Sequence, residues 1–146
     1  MQITSPLNEI AHLIQLAIAP VFLLTAVATI LSVLTGRLAR AVDRRRSLMA
    51  RMSGLADDLA ELARREIEFE VRRTRLIYFA ITSAVICALL VAALISLAFI
   101  DAFVSSELGK LIAFMFILAM FALMTSLSFF LREIFLSVNS PRAPLA

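Results

Sequence analysis

The side chains of this sequence that are best spaced for a function lie in its first apolar segment. Small and polar residues recur there at steps of three and four, which places them on one face of an α-helix. Two bulky apolar residues, Ile18 and Phe22, interrupt this face near its middle. Hydroxyl and amide groups can bind water, whereas an apolar constriction excludes it. The pattern is typical of a water-filled path with a hydrophobic gate. The residues that would line this path are Gln15, Ile18, Phe22, Thr25, Thr29 and Ser32, and Asn8 and Glu9 would form its outer mouth.

A second interpretation of the same face stays open. Small and hydroxyl-bearing residues let membrane helices approach closely and form hydrogen bonds across their interface. On this simpler interpretation the face packs against another helix and encloses no water. The sequence does not decide between the two, because both need the same residue types at the same spacing.

The residue types that enzymatic, metal or redox chemistry requires are scarce. The chain has one histidine, His12, one cysteine, Cys87, and three glycines, so it lacks a metal cluster, a thiol pair and a Gly-rich phosphate loop. Acids balance most of the arginines, and one tyrosine without any tryptophan offers little surface for stacking on bases. We therefore expect no enzyme, no catalytic residue, no metal, no cofactor and no nucleic-acid partner.

The composition indicates an integral membrane protein. Of 146 residues, 62% are hydrophobic and 17% are charged, whereas a soluble domain has about 25% charged residues. Three segments without fixed charge, about 10–36, 76–100 and 111–131, are each long enough to cross roughly 30 Å of hydrocarbon as a helix. We predict an all-α chain with three transmembrane helices in a single membrane domain, residues 1–146.

The distribution of basic residues predicts the orientation in the membrane. Segment 37–75 holds eleven of the 14 lysines and arginines, and none precedes the first apolar segment. Because cytoplasmic loops are enriched in basic residues, we expect the N-terminus outside and both this loop and the C-terminus in the cytoplasm.

The loop itself is predicted to be helical. It has no proline, and its one glycine, Gly54, follows Ser53 at a change from basic to acidic sequence. One alternative is a single helix that lies on the membrane surface. The other, which we favour, is a cytoplasmic hairpin over about 37–75, in which the first two spans continue as helices and reverse at 53–54. Cations would then end one arm and anions begin the next, as helix dipoles favour.

The charges of the two arms also match across such a hairpin. A common register places oppositely charged residues against each other in three pairs: Arg37 with Glu70, Asp43 with Arg64, and Arg46 with Glu61. Exposed pairs of this kind contribute about 0.2–1 kcal/mol each, so they select the register more than they stabilise the fold.

The other two spans offer packing surfaces and one charged pair. The second span carries a ridge of small residues at strict steps of four, which predicts a helix-packing face: Ala80, Ala84, Ala88, Ala92 and Ser96. The third span is rich in Phe and Met and ends in Arg132 and Glu133. Pairing with the loop arginines and anchoring at the membrane interface compete for these two residues, and we favour anchoring.

Three stretches of the sequence point to a family. They are APVFLL at 19–24, GRLARAVDR at 36–44 and FLREIF at 130–135, within a match over about 8–138. Together they resemble the domain-of-unknown-function 2721 family of small bacterial membrane proteins, although that family more often has asparagine at position 36. The resemblance implies a three-span protein of the bacterial inner membrane, and it implies no activity.

Two classes of function follow from these patterns. The first is a homo-oligomeric channel in the lipid bilayer, conducting inorganic ions, in which several copies of the first span line the path. The second is a membrane scaffold or sensor whose cytoplasmic hairpin binds a partner. The two hypotheses share the fold and differ in whether the first span or the hairpin is the working part.

Overall fold

Three long α-helices make up the protein. The computed structural model describes residues 6–52, 57–104 and 108–138. Helix α1 spans Pro6–Met52, α2 spans Asp57–Val104 and α3 spans Gly109–Val138, and no strand occurs within these ranges. Each helix contains a stretch that is long and apolar enough to cross a membrane: Ala17–Ala50, Ile67–Asp101 and Gly109–Val138. The predicted all-α class with three apolar helices is confirmed.

The first two helices continue well beyond their apolar segments. Helix α1 runs without a break through residue 37, and α2 does so through residue 75. The alternative of a separate helix over 37–75 is therefore wrong. With no proline in this segment, nothing interrupts the helical hydrogen bonding where the sequence changes from apolar to charged. The predicted reversal at 53–54 lies outside the described residues.

A seven-residue repeat of buried residues runs along each helix. Seven residues make nearly two helical turns, so the repeat keeps one narrow seam facing the neighbouring helices. The seam consists of Pro20, Val27, Leu34, Ala41 and Leu48 in α1, of Glu70, Ile77, Ala84 and Val91 in α2, and of Ala119, Ser126 and Glu133 in α3.

The chain divides into two compact units, and each contains part of all three helices. The first unit consists of Met1–Leu31 and Ser83–Met124. Its apolar core is formed by small and branched side chains from the three helices: Val27, Ala84, Cys87, Val91, Leu94 and Ala119. Alanines at the contacts let the helix backbones approach closely, which suits packing in lipid.

The second unit consists of Ser32–Thr82 and Thr125–Ala146. Here the buried Ser126 hydroxyl donates a hydrogen bond to the Ala80 carbonyl across α2 and α3, at 2.8 Å. The Phe79 and Phe129 rings stack with centroids 5.6 Å apart. This unit also holds the buried charges of the described chain, Glu70 and Glu133.

The predicted small-residue ridge on α2 is correct only at its beginning. Ala80 and Ala84 are fully buried, Ala88 is half-buried, and Ala92 and Ser96 are exposed. A step of four residues advances about 400° around the helix, so a row at strict fours turns by about 40° each step. The ridge therefore rotates out of the core, and the seven-residue seam replaces it.

The two ends of the ridge should respond differently to the same enlargement. We expect Ala84→Leu to destabilise the protein by about 1–3 kcal/mol, because the added methyl groups meet a packed core. Ala92→Leu, at an exposed site of the same helix, should change stability by less than about 0.5 kcal/mol. Unfolding in mild detergent followed by circular dichroism measures both, and equal losses would show that the step-of-four ridge is the packing face after all.

Candidate functional site

A fully buried carboxylate connects all three helices within the second unit. Glu133 of α3 is 0% exposed. Its Oε2 accepts a hydrogen bond from Arg37 Nη1 of α1 at 2.8 Å, and its Oε1 accepts one from Arg73 Nε of α2 at 2.6 Å. Both are charge-assisted hydrogen bonds, the stronger kind in proteins. Each oxygen of one carboxylate is thus satisfied by a different helix.

The seam of α3 explains why Glu133 points inward. Glu133 follows Ala119 and Ser126 at steps of seven, so the three side chains lie along the same line on the helix. An apolar residue at this position would continue the core. The acid instead carries the seam into the part of the chain where the arginines of α1 and α2 lie.

A second buried carboxylate lies beside the first. Glu70 is 4% exposed, and its Oε1 is 3.7 Å from Arg44 Nε and 3.8 Å from Arg73 Nη1. These distances are ion-pair contacts and exceed hydrogen-bond range. Its Oε2 is buried and has no hydrogen-bond partner in the described part of the chain. Arg73 is therefore shared, with a close bond to Glu133 and a longer contact to Glu70.

Five residues form a charge cluster around the two buried carboxylates, with Arg44 at its exposed edge: Arg37, Arg44, Glu70, Arg73 and Glu133. Along the contacts Arg37–Glu133–Arg73–Glu70–Arg44 positive and negative charges alternate. The cluster therefore has three cations and two anions. The Arg37 guanidinium also lies over the Phe130 ring, 5.1 Å from its centroid, which adds a cation–π contact on the α3 side. Among the described residues no group of His, Cys, Asp or Glu could hold a metal ion.

The cluster occupies an unusual place for charge. Arg37 directly follows the uncharged segment 10–36, Arg73 precedes 76–100 and Glu133 follows 111–131, so the cluster lies at the charged ends of the three apolar segments. Ionisable groups next to membrane-crossing segments are costly to bury unless they pair with one another. Here the pairing is internal, and the cluster joins the three helices.

Interfacial anchoring, the favoured prediction for Glu133, is wrong because the side chain is buried and paired. The alternative, pairing with loop arginines, is confirmed for Glu133. No sequence pattern distinguished Arg73 from the other loop arginines. The available signal was that Glu133 is the only acid in α3 and stands seven residues from Ser126.

The predicted hairpin pairs are replaced by others in the structure. Arg37 contacts Glu133 and not Glu70, while Glu70 lies near Arg44 and Arg73. Glu61, the expected partner of Arg46, pairs with Arg65 one turn along its own helix at 3.0 Å. Asp43 and Arg64 are both exposed, and no ion pair joins them. The predicted register considered two helices, whereas the third supplies the nearest carboxylate for Arg37.

The six residues of the predicted polar face remain together on the outside of α1. Gln15, Ile18, Phe22, Thr25, Thr29 and Ser32 are all exposed. At about 100° per residue they lie between roughly 140° and 240° around the helix from Val27, which is in the buried seam. The chain's own packing therefore leaves this face free. The side chains of the predicted mouth residues, Asn8 and Glu9, lie outside the described part of the structure.

Two hydroxyls on the polar face are bonded to their own helix. Thr25 Oγ1 donates to the Val21 carbonyl at 3.3 Å, and Thr29 Oγ1 donates to the Thr25 carbonyl at 3.0 Å. This back-bonding satisfies the hydroxyl proton, as is common for Thr within helices. The oxygen lone pairs remain available to accept from water or from another helix.

A family model for proteins of unknown function, DUF2721, matches residues 17–143 of the chain. The chain belongs to this family. The match includes the polar face from residue 17 onward and the whole charge cluster of this DUF2721 protein. Neither the curated proteins nor the solved structures include a significant match to the chain.

Loss of the buried carboxylate should be severe in this DUF2721 protein. Glu133→Gln leaves Arg37 without its counter-charge and Arg73 with only the longer contact to Glu70, and we expect a loss of about 3–5 kcal/mol in the free energy of unfolding. The matched control is Glu61→Gln, which removes the exposed pair with Arg65 and should cost less than about 1 kcal/mol. Denaturation in mild detergent measures both, and similar small losses would contradict a structural role for Glu133.

The shared arginine should be energetically coupled to Glu133. We expect Arg73→Gln together with Glu133→Gln to cost less than the sum of the single changes, by about 0.5–3 kcal/mol, because the double variant leaves fewer unpaired charges. A double-mutant cycle in the same detergent gives the coupling energy. Strict additivity would mean that the 2.6 Å contact contributes nothing.

Proposed function

We propose that this DUF2721 protein is a homo-oligomeric channel of the bacterial inner membrane that conducts inorganic ions, with α1 of each copy lining the path. Its N-terminus lies outside, and the hairpin arms and C-terminus lie in the cytoplasm. The observation that supports the proposal best is the exposure of the polar face, opposite the seam by which α1 packs on its own chain. A ring of such helices would turn these faces toward a common axis.

The order of residues along the polar face suits gating by dewetting. Phe22 is 71% exposed and Ile18 is 47% exposed, one turn apart. Gln15 lies on one side of this apolar pair, and Thr25, Thr29 and Ser32 lie on the other. We call the ring that Ile18 and Phe22 of each copy would form the apolar girdle. Water occupies the polar ends of the path and leaves the apolar girdle dry, so ions pass only when the girdle widens.

Back-bonding of the threonines is compatible with a water-lined wall. The Thr25 and Thr29 hydroxyls already use their protons within α1 and still present acceptor oxygens toward the path. Acceptor oxygens favour cations over anions, as carbonyl and hydroxyl oxygens do in other filters. We therefore expect cation selectivity in this part of the path.

Truncation of the girdle provides the direct test. We expect Phe22→Ala to increase the single-channel open probability severalfold over wild type, because a smaller apolar side chain lowers the barrier to wetting. The measurement is current across planar bilayers that contain the purified full chain. The matched control is Phe114→Ala on α3, which is similarly exposed at 57% and lies outside the polar face. It should leave the currents at the wild-type level.

Two results would contradict the channel proposal. One is silence of both wild type and Phe22→Ala at every voltage. The other is a mass in mild detergent that corresponds to a monomer or dimer, because two helices cannot enclose a path. A silent but larger oligomer would favour the alternative, a membrane scaffold or sensor whose hairpin arms bind a partner.

A further inference from the structure

Helices α2 and α3 run antiparallel in the second unit. Three contacts join α3 to α2: residue 126 to 80, residue 129 to 79 and residue 133 to 73. The residue numbers fall along α2 as they rise along α3. By the same progression Arg132 lies at the level of Arg75. The stacked rings of Phe79 and Phe129 lie about one helical turn away, on the apolar side of both arginines.

Three exposed arginines are grouped on this surface. Arg72 and Arg75 precede Phe79 by seven and four residues, so they share its side of α2. Arg132 follows Phe129 by three residues and is also exposed. The Arg75 guanidinium lies over the Phe79 ring, 5.8 Å from its centroid, within the range of a cation–π contact. One of the three cations is therefore held in place by the aromatic pair.

No acid in the described part of the chain neutralises these arginines. Within the described part of the chain Arg72, Arg75 and Arg132 form no ion pair, in contrast to Arg37 and Arg73 a short distance along the same helices. Over the whole second unit the described side chains include eleven arginines against five acids. The surface therefore has an excess of positive charge that attracts an anion from outside.

We propose that Arg72, Arg75 and Arg132 bind the phosphate of an anionic phospholipid headgroup, with the Phe79–Phe129 pair against its acyl chains. Guanidinium groups are suited to phosphate because they donate paired, parallel hydrogen bonds. Basic groups on the cytoplasmic side of membrane helices bind anionic headgroups in this way. The site is separate from the polar face of α1 and does not depend on ion conduction.

The aromatic residues favour a lipid over free inorganic phosphate. Phe79 is 47% exposed and its neighbour Tyr78 is 54% exposed, on a helix whose apolar segment begins immediately after Arg75. Aromatic rings at this depth mark the boundary between headgroups and hydrocarbon. A ligand with a phosphate and an acyl chain satisfies both parts of the surface, whereas a free anion satisfies one.

The test uses thermal unfolding of the full chain in mild detergent, reported by a thiol-reactive fluorophore. Cys87 is the single cysteine and is fully buried, so it becomes reactive only when the protein unfolds. Dioctanoyl phosphatidylglycerol should raise the melting temperature in a saturable manner, and dioctanoyl phosphatidylcholine should not. The double variant Arg75→Gln/Arg132→Gln should need about tenfold or more phosphatidylglycerol for the same rise.

The control is Arg46→Gln/Arg64→Gln, which removes the same charge from exposed arginines of the hairpin arms and should respond like wild type. Arg75→Lys/Arg132→Lys keeps the charge, and should still lose part of the affinity because ammonium groups cannot bind bidentately. If the control variant loses as much affinity for phosphatidylglycerol, the effect comes from general surface charge, and the proposed site is wrong. Wild-type affinity in both double variants at 75 and 132, or an equal rise with inorganic phosphate, would overturn it as well.

Discussion

The second unit depends on one constraint, which is that the buried Glu133 carboxylate must be paired. A charge that is removed from water costs several kcal/mol unless opposite charges and hydrogen bonds compensate for it. Arg37 and Arg73 supply both, each from a different helix and each to a different oxygen. A change in the rotation or register of any of the three helices would break at least one bond. We infer that this cluster fixes the alignment of the helices more than it adds to their stability.

The same constraint separates two groups of arginines that look alike in the sequence. Those that face Glu133 and Glu70 form ion pairs with these two acids. Those one position away on the helix surface, such as Arg72 beside Arg73 and Arg132 beside Glu133, are exposed and unpaired in the described structure. A rotation of about 100° per residue accounts for the difference. The arginines that pair with Glu133 therefore hold the helices together, and the exposed ones point away from the helix contacts.

Helix α1 shows a similar division between its two sides. Its buried seam of small and branched residues satisfies the packing of the chain, and the opposite side keeps its hydroxyls and its exposed Phe22. Because the chain does not pack against this side of α1, the side must contact lipid or other copies of the chain. The hydroxyls are bonded within α1, so contact with lipid is tolerable. Polar groups lie at both ends of the apolar girdle, however, and this arrangement favours a path for ions.

Several elements were predictable because they depend on local composition. Long uncharged segments and the lack of proline in 37–75 predicted three spans and their extension as helices, since a helix satisfies its backbone from its own residues. The polar face of α1 was predictable for the same reason, because its residues are related only by helical spacing. The α2 ridge failed in part because helical rotation accumulates over steps of four, and only the positions of the neighbouring helices determine where it leaves the core.

The sequence by itself determined the all-α class, the three apolar helices and the family, all of which depend on patterns within single segments. Only the tertiary structure decided that Arg37 and Arg73 bind Glu133, that Glu70 keeps an unbonded oxygen, and that Arg75 and Arg132 lie level with each other. An ion pair forms with the nearest opposite charge in space, and residues 60 and 96 positions apart become neighbours only after three helices pack. Packing geometry, and not spacing along the chain, selects those partners.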